Sequence, residues 1–107
     1  MDKQSVIALA HEYSKLVIQH FPVEQILLYG SFVNGTAGPY SDIDIAVIVE
    51  ELEGDYLEKQ SELYRLRRSV DLRIEPILFV GWQDDSGFLQ EIKATGKIVY
   101  SSETATH

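Results

Sequence analysis

The chain has 107 residues, of which 45% are hydrophobic and 24% charged, and this is the composition of an ordinary globular domain. The length supports one modest core and is too short for two domains, and the lack of cysteine excludes disulfide scaffolds, thiolate zinc sites and cysteine nucleophiles. Nine basic and 17 acidic residues give a formal charge of −8, which argues against binding of long nucleic acid. No apolar run reaches the length of a membrane span and no signal peptide opens the chain, so we expect a cytoplasmic protein without membrane contact.

Hydrophobic periodicity and breaker residues predict the order of helices and strands. In the first half of the chain we expect a helix from residue 3 to about 20, a strand over 26–29, a helical turn over 31–35, a turn at Gly38-Pro39 and a strand from about 42 to 49. In the second half we expect a helix over about 56–68, a strand over 70–75 with 77–80 still extended, a short helix, and a last strand over 97–100. The unbroken apolar run from Ile45 to Val49 indicates a central strand that is buried on both faces. Val70, Leu72 and Ile74 alternate with polar residues in the third strand, which Pro76 ends, bends or places at an edge.

The second half of the chain also carries packing and boundary signals. The helix over residues 56–68 is expected to turn four side chains inward, namely Leu57, Leu63, Tyr64 and Leu66. Asp84-Asp85-Ser86 is typical of the start of a helix, and Gly96 is typical of its end. Residues 101–107 have little to bury, so we expect a disordered tail after a single domain over residues 1–100. The element order predicts an α+β fold, with a small mixed sheet flanked by helices.

The segment between the first two strands holds the residues that point to chemistry. Gly30-Ser31 follows the first strand, and Asp42 and Asp44 open the second. Side chains alternate along a strand, so the two carboxylates share one face and repel each other unless a cation lies between them. Mg2+ prefers oxygen ligands and often combines one or two carboxylates with substrate phosphates. Because a glycine lets the backbone approach a phosphate and a serine hydroxyl binds its oxygens, the segment indicates a metal–phosphate site.

This pattern resembles the signature of the DNA polymerase β-like nucleotidyltransferase superfamily. The matching residues are Tyr29-Gly30-Ser31 and Asp42-Ile43-Asp44-Ile45, and the small size resembles the minimal nucleotidyltransferase (MNT) branch. The predicted element order also matches the small mixed-sheet core of the nucleotidyltransferase fold. The resemblance implies that Gly30 and Ser31 hold the triphosphate of an NTP, and that Asp42 and Asp44 are catalytic and bind one or two Mg2+ ions. Ser41 corresponds to a small polar residue that often precedes the first aspartate, although a hydroxyl there would equally stabilise the turn.

The family also has a third carboxylate, on a following strand. In MNT sequences it often reads hydrophobic-Asp-hydrophobic, and Val70-Asp71-Leu72 fits this form. Asp71 is therefore the first choice for the third catalytic and metal-binding residue, and Glu75, on the same predicted face, is the rival. The alternative for both is a solvated strand face paired with Arg73.

One residue departs from the family pattern. Many MNT domains read Gly-Ser-x-Ala-Arg-Gly, with an arginine where this chain has Asn34. The arginine would add a positive charge to the phosphate pocket, so its replacement puts affinity and rate in question more than the type of reaction.

The resemblance implies a Mg2+-dependent enzyme that moves NMP, with AMP from ATP as the first choice, to a hydroxyl on a protein. MNT domains of this kind often act as antitoxins, so a small helical HEPN-type toxin is the expected partner, with a homo-oligomer as the alternative. Two other functions stay open. One is a small-molecule nucleotidyltransferase of the antibiotic-modifying kind, for whose usual extra helical domain 107 residues leave no room. The other is a catalytically weak nucleotidyltransferase fold that only binds a partner.

Overall fold

The computed structural model describes residues 2–38, 40–82, 84 and 86–102. In chain order it contains α1 (Lys3–Val17), β1 (Val23–Tyr29), α2 (Ser31–Asn34), β2 (Ile43–Val49), α3 (Tyr56–Leu66), a 3-10 turn (Arg67–Ser69), β3 (Ile74–Val80), α4 (Phe88–Thr95) and β4 (Lys97–Ser101). The predicted α+β class is confirmed. The end of the expected tail at 103–107, Pro39 of the predicted turn and Asp85 of the predicted helix start lie outside the described residues.

The strands form one mixed sheet in the order β3-β2-β1-β4. β1 runs antiparallel to both of its neighbours, β2 and β4, whereas β2 and β3 are parallel. The prediction of a central, doubly buried second strand is confirmed, because every residue from Ile45 to Val49 is buried. β3 is an edge strand, and this is where Pro76, which has no N–H to donate, is tolerated in a sheet.

One face of the sheet is covered by α1 and α3. Asp2 caps the start of α1 by accepting a 2.7 Å hydrogen bond from the Ser5 N–H. The apolar stripe of α1 then packs on the odd-numbered side chains of β2, and Tyr13 joins α1 to α3 by donating its hydroxyl to the Leu63 carbonyl at 2.5 Å. Burial raises the pKa of the Tyr13 phenol. The bond from Tyr13 therefore holds α1 and α3 together on the face of the sheet that they cover.

The opposite face is covered by α4 alone. Two of its side chains, Leu89 and Ile92, pack on Leu27, Ala46 and Ile48 in a second, smaller core. At the end of the sheet where β2 begins, Tyr29 is only partly buried against this core. On this face of the sheet, Asp44 is also partly accessible to solvent.

The outer edge of β3 is closed by side chains of α3. Gln60 donates its Nε2 to the Pro76 carbonyl and accepts the Leu78 N–H at its Oε1, both at 2.8 Å, and the Tyr56 hydroxyl donates to the Leu78 carbonyl at 2.6 Å. The amide of Gln60 thus supplies the two bonds that another strand would make, and an edge strand covered in this way is protected from pairing with other chains.

Two expectations about the second half of the chain are wrong. The third strand begins at Ile74, not at Val70, because Asp71 and Arg67 bind the backbone of residues 72–74 and hold it in a turn. Leu72 is 65% exposed there. On α3, Leu63 is buried and Leu66 is partly buried as expected, but Leu57 and Tyr64 are exposed instead of buried.

No helix in the described ranges has both the length and the apolar character needed to cross a bilayer.

Candidate active site

Gly30 makes the sharp turn from β1 into α2. Its φ of 80° and ψ of −149° lie in a region that only glycine adopts without strain. A Cβ atom at this position would collide with the Asp44 carboxylate and lie 3.1 Å from its Cγ atom. The Gly30 carbonyl accepts from the Val33 and Asn34 N–H groups at 3.1 and 3.0 Å, which starts α2 directly after the turn. The glycine therefore serves the backbone turn and the close approach of a carboxylate at the same time.

Asp42 and Asp44 lie at the start of β2 and project to the face opposite the main core. Ile43, between them, is fully buried on the α1 side, and its N–H donates to the Arg73 carbonyl at 2.8 Å. Asp42 is exposed and Asp44 is half-buried. Burial, and after it the charges of Asp42 and Glu75, raise the pKa of the Asp44 carboxyl. The paired placement expected from the Asp-x-Asp spacing is thus present, and among the described residues no ion pair of either aspartate is found.

Glu75 lies beside Asp44 on the next strand. The strand register places Tyr29, Asp44 and Glu75 opposite one another across β1, β2 and β3. Burial, and then the charges of Asp44 and Glu75, raise the pKa of Tyr29 to about 12. Arg67 reaches Glu75 from the end of α3, with Nη1 3.4 Å from Oε1. We call this cross-strand set of Tyr29, Asp44 and Glu75 the carboxylate row, after its two acidic members.

Asp71, the first choice from the sequence for the third carboxylate, does not lie on a strand beside Asp44. It lies ahead of β3 in the turn, where its Oδ1 accepts the Arg73 backbone N–H at 2.8 Å and its Oδ2 the Arg73 Nη2 at 2.9 Å. These bonds, first of all those from the Arg73 side chain, hold the pKa of Asp71 below its usual value. The pairing with Arg73 that the sequence left open is therefore what the structure contains, and Glu75 is the acidic residue of this segment that adjoins Asp44.

The other expected nucleotide-binding residues flank the turn. Ser31 opens α2 and is partly exposed. The Ser41 hydroxyl accepts the Gly38 N–H at 2.8 Å, so it stabilises the loop, as one of its two expected roles requires. Asn34, at the position of the family's frequent arginine, is exposed at the end of α2.

The acidic residues fit a divalent cation that is shared with a ligand. Within residues 2–38, 40–82, 84 and 86–102, no three His, Cys, Asp or Glu side chains are grouped so as to enclose a metal ion by themselves. Mg2+ needs no such cage, because it commonly takes one or two carboxylates and completes its shell with water and phosphate oxygens. Asp42 and Asp44 supply such a pair, and a cation between them would offset their mutual repulsion.

The stretch from residue 12 to residue 105 matches the family described as Polymerase beta, Nucleotidyltransferase. The chain belongs to this family. The matched range contains the Gly30-Ser31 turn, the Asp42/Asp44 pair and both Asp71 and Glu75, and the resemblance seen in the sequence is confirmed at the level of the family.

Solved structures confirm the fold. A nucleotidyltransferase from Sulfolobus solfataricus aligns with a TM-score of 0.68 and 18% identity, over 95% of this chain and 86% of that one. A mutant of the toxin–antitoxin MntA-HpeT aligns with a TM-score of 0.63 and 26% identity, over 86% of this chain and 72% of that one. A toxin–antitoxin with AMP-PNP aligns with a TM-score of 0.60 and 23% identity, over 96% and 76%. No curated protein matches the sequence.

Arg67 is the residue of this region that sequence reasoning missed. Its Nη1 donates to the carbonyls of Leu72 and Ile74 at 2.5 and 3.3 Å as well as to Glu75, and its guanidinium lies 3.8 Å from the centroid of the Tyr64 ring. It thereby fixes the entry into β3. Residues 65–68 include three arginines, and nothing in the local sequence distinguishes Arg67 from the other two.

Proposed function

We propose that the protein is a Mg2+-dependent nucleotidyltransferase that moves NMP, in the first place AMP, from an NTP to a hydroxyl on a partner protein. The observation that carries this proposal is the close approach of Asp44 to Gly30, with Asp42 and Glu75 adding negative charge beside it. Such a concentration of carboxylates next to a glycine turn suits a metal-bound triphosphate and little else.

Each residue has a distinct part in this reaction. Gly30 leaves room for the phosphate chain, and the Ser31 hydroxyl donates to its oxygens. Asp42 and Asp44 would hold Mg2+ against the α-phosphate, and Glu75, in the place first expected for Asp71, would be the third carboxylate. Mg2+ held there would offset the negative charge of the phosphates and favour loss of the acceptor hydroxyl's proton to solvent water. The acceptor oxygen forms a bond to the α-phosphorus, the bond to the bridging β-phosphate oxygen breaks, and pyrophosphate leaves with that electron pair.

We further propose an antitoxin role in the cytoplasm, with a small helical HEPN-type toxin as partner and acceptor. Support comes from the aligned toxin–antitoxin structures, of which one is 26% identical and another contains AMP-PNP. In this proposal the acceptor surface belongs to the partner, and a homo-oligomer is the alternative source.

A labelling experiment tests the transfer. The purified chain is incubated with Mg2+, each α-32P-labelled NTP in turn, and the protein encoded next to it. We expect label on the neighbouring protein after a denaturing gel, most strongly with ATP, and none with the Asp42→Asn/Asp44→Asn variant. A different result would show that the fold acts by binding alone. In that case the wild type transfers no label, and the Asp42→Asn/Asp44→Asn variant still inhibits the neighbouring protein.

A further inference from the structure

Phe88 is a partly exposed aromatic residue next to the carboxylate row. It is the first residue of α4 and is 41% exposed. Its ring lies edge-on to Tyr29, with centroids 5.8 Å apart and an interplanar angle of 82°, and is tilted by 56° against Phe79 at 6.2 Å. The three rings form a cluster in which Phe88 contacts both Tyr29 and Phe79 and remains partly exposed to solvent.

The strand register locates this open ring relative to the acidic residues. On the face covered by α4, the carboxylate row is followed two residues further along by Leu27, Ala46 and Ile77, and then by Ile48 and Phe79. Phe88 contacts Tyr29 in the first of these rows and Phe79 in the third. Its ring therefore lies between these two rows, and one of its two neighbours, Tyr29, is the residue paired with Asp44.

A ligand bound at the carboxylates through its phosphates lies within reach of this ring, because Tyr29, which contacts the ring, directly precedes Gly30. We propose that Phe88 is the stacking platform for the nucleobase of the donor NTP. The inference rests on the proposed function, since it takes the triphosphate to lie at Gly30 and Asp44. Stacking on an aromatic side chain accepts any base because every base has a π-face, and it scales with the area of overlap.

Two described polar residues of the loop that precedes α4, Asp84 and Ser86, are used in bonds within that loop. Asp84 accepts the Leu89 N–H at 2.9 Å and the Ser86 hydroxyl at 2.8 Å, while the Ser86 Oγ accepts the Phe88 N–H at 3.2 Å. These bonds hold Phe88 in place, and stacking on its ring is the contribution proposed for this residue. We therefore expect purine nucleotides to bind more tightly than pyrimidine nucleotides.

The test separates the base from the phosphates. Calorimetric titration of the full chain with Mg2+-ATP is compared with titration with Mg2+-tripolyphosphate, which has the phosphates and no base. Phe88→Ala and Phe88→Leu should weaken Mg2+-ATP about tenfold or more. Both should leave Mg2+-tripolyphosphate unchanged, and Phe88→Tyr, which keeps a ring, should bind both ligands like the wild type.

Matched variants keep the result interpretable. Leu57→Ala removes another exposed apolar side chain, 72% exposed on α3, and should change neither affinity. If Phe88→Ala fails to fold, the comparison of Phe88→Leu with Phe88→Tyr decides. The inference is overturned if Phe88→Leu binds Mg2+-ATP like the wild type, or if it loses both ligands equally. A wild type that binds neither ligand contradicts the proposed function, and the base platform with it.

Discussion

The carboxylate of Asp44 occupies the space that a side chain at Gly30 would fill. Gly30 directly follows β1, and Asp44 lies in β2, which pairs with β1 in antiparallel orientation at this end of the sheet. Because the turn at Gly30 leads into α2, the absence of a side chain lets the backbone at the start of this helix approach an acidic residue closely. This contact links the glycine of the signature to its aspartates in physical terms.

Gly30→Ala is expected to disrupt both the fold and the site. The strained backbone and the displaced carboxylate should together lower the free energy of unfolding by about 3 kcal/mol. Binding of Mg2+-nucleotide should be lost as well, because Asp44 cannot keep its position. Urea denaturation and calorimetry measure the two effects.

Gly35→Ala is the matched control for that change. Gly35 has nearly the same φ, 78°, but a Cβ atom there meets nothing within 4 Å. It should therefore cost only the backbone strain, about 1–2 kcal/mol, and leave nucleotide affinity intact. Equal loss of affinity in both variants would show that the contact with Asp44 is unimportant.

Asp44→Asn is expected to raise the free energy of unfolding at pH 7 in the absence of Mg2+, while it abolishes nucleotide binding. Burial, then the charges of Asp42 and Glu75, raise the pKa of this carboxyl above the model-peptide value of 3.8. A raised carboxyl pKa favours the native state below the unfolded value, and this advantage is lost as the pH rises through the folded pKa. At neutral pH the charge is therefore destabilising, and a neutral amide removes the cost. Urea denaturation with EDTA present measures the change.

Asp71→Asn should have the opposite effect and lower the free energy of unfolding at pH 7. Hydrogen bonds from the Arg73 side chain lower the pKa of Asp71, so its contribution to stability is present above pH 3.8 and is lost as the pH falls through the lower, folded value. The variant should lower the urea midpoint at pH 7 and have little effect on nucleotide affinity. A loss of nucleotide binding equal to that of Asp44→Asn would instead restore Asp71 as the third carboxylate.

Arg67→Met is expected to lower the free energy of unfolding by about 1–3 kcal/mol, since charged hydrogen bonds to two carbonyls are lost. It should also reduce catalytic turnover, because Glu75 loses the group that holds it. Arg68→Met, at an exposed neighbouring position, is the control and should be neutral in both measurements. If the two variants denature at the same urea concentration, Arg67 does not organise the entry into β3.

Gln60→Leu should also lower the free energy of unfolding by about 1–3 kcal/mol, because it leaves the Pro76 carbonyl and the Leu78 N–H without their partner at the edge of β3. The exposed edge should promote association, which sedimentation velocity would detect. Ser61→Ala, exposed on the same helix, should change neither property. A monomeric Gln60→Leu variant of unchanged stability would show that α3 does not protect this edge.

The parts of the site that could be predicted are those that depend on neighbours in sequence. The Gly30 turn and the pair Asp42 and Asp44 follow from one loop and one strand start, where the glycine requirement and the side-chain alternation act over a few residues. The central position of β2 could be predicted for the same reason, since its apolar run reports burial on both faces directly.

The parts that could not be predicted depend on contacts across the fold. The alternation of Val70, Leu72 and Ile74 is that of a strand, but hydrogen bonds from Arg67 and Asp71 to the local backbone hold a turn there and move the strand to Ile74. The neighbour of Asp44 is then Glu75 because of the parallel register, which no local pattern reveals. Phe88 reaches the site only because α4 crosses the sheet.

The most direct test of the metal–nucleotide site is calorimetric titration of the purified chain with ATP, with Mg2+ present and absent, for the wild type and the Asp42→Asn/Asp44→Asn variant. The account predicts binding by the wild type that requires Mg2+, and no binding by the double variant. Binding of equal strength without Mg2+, or binding that survives the loss of both aspartates, would contradict a metal–nucleotide site at this end of the sheet.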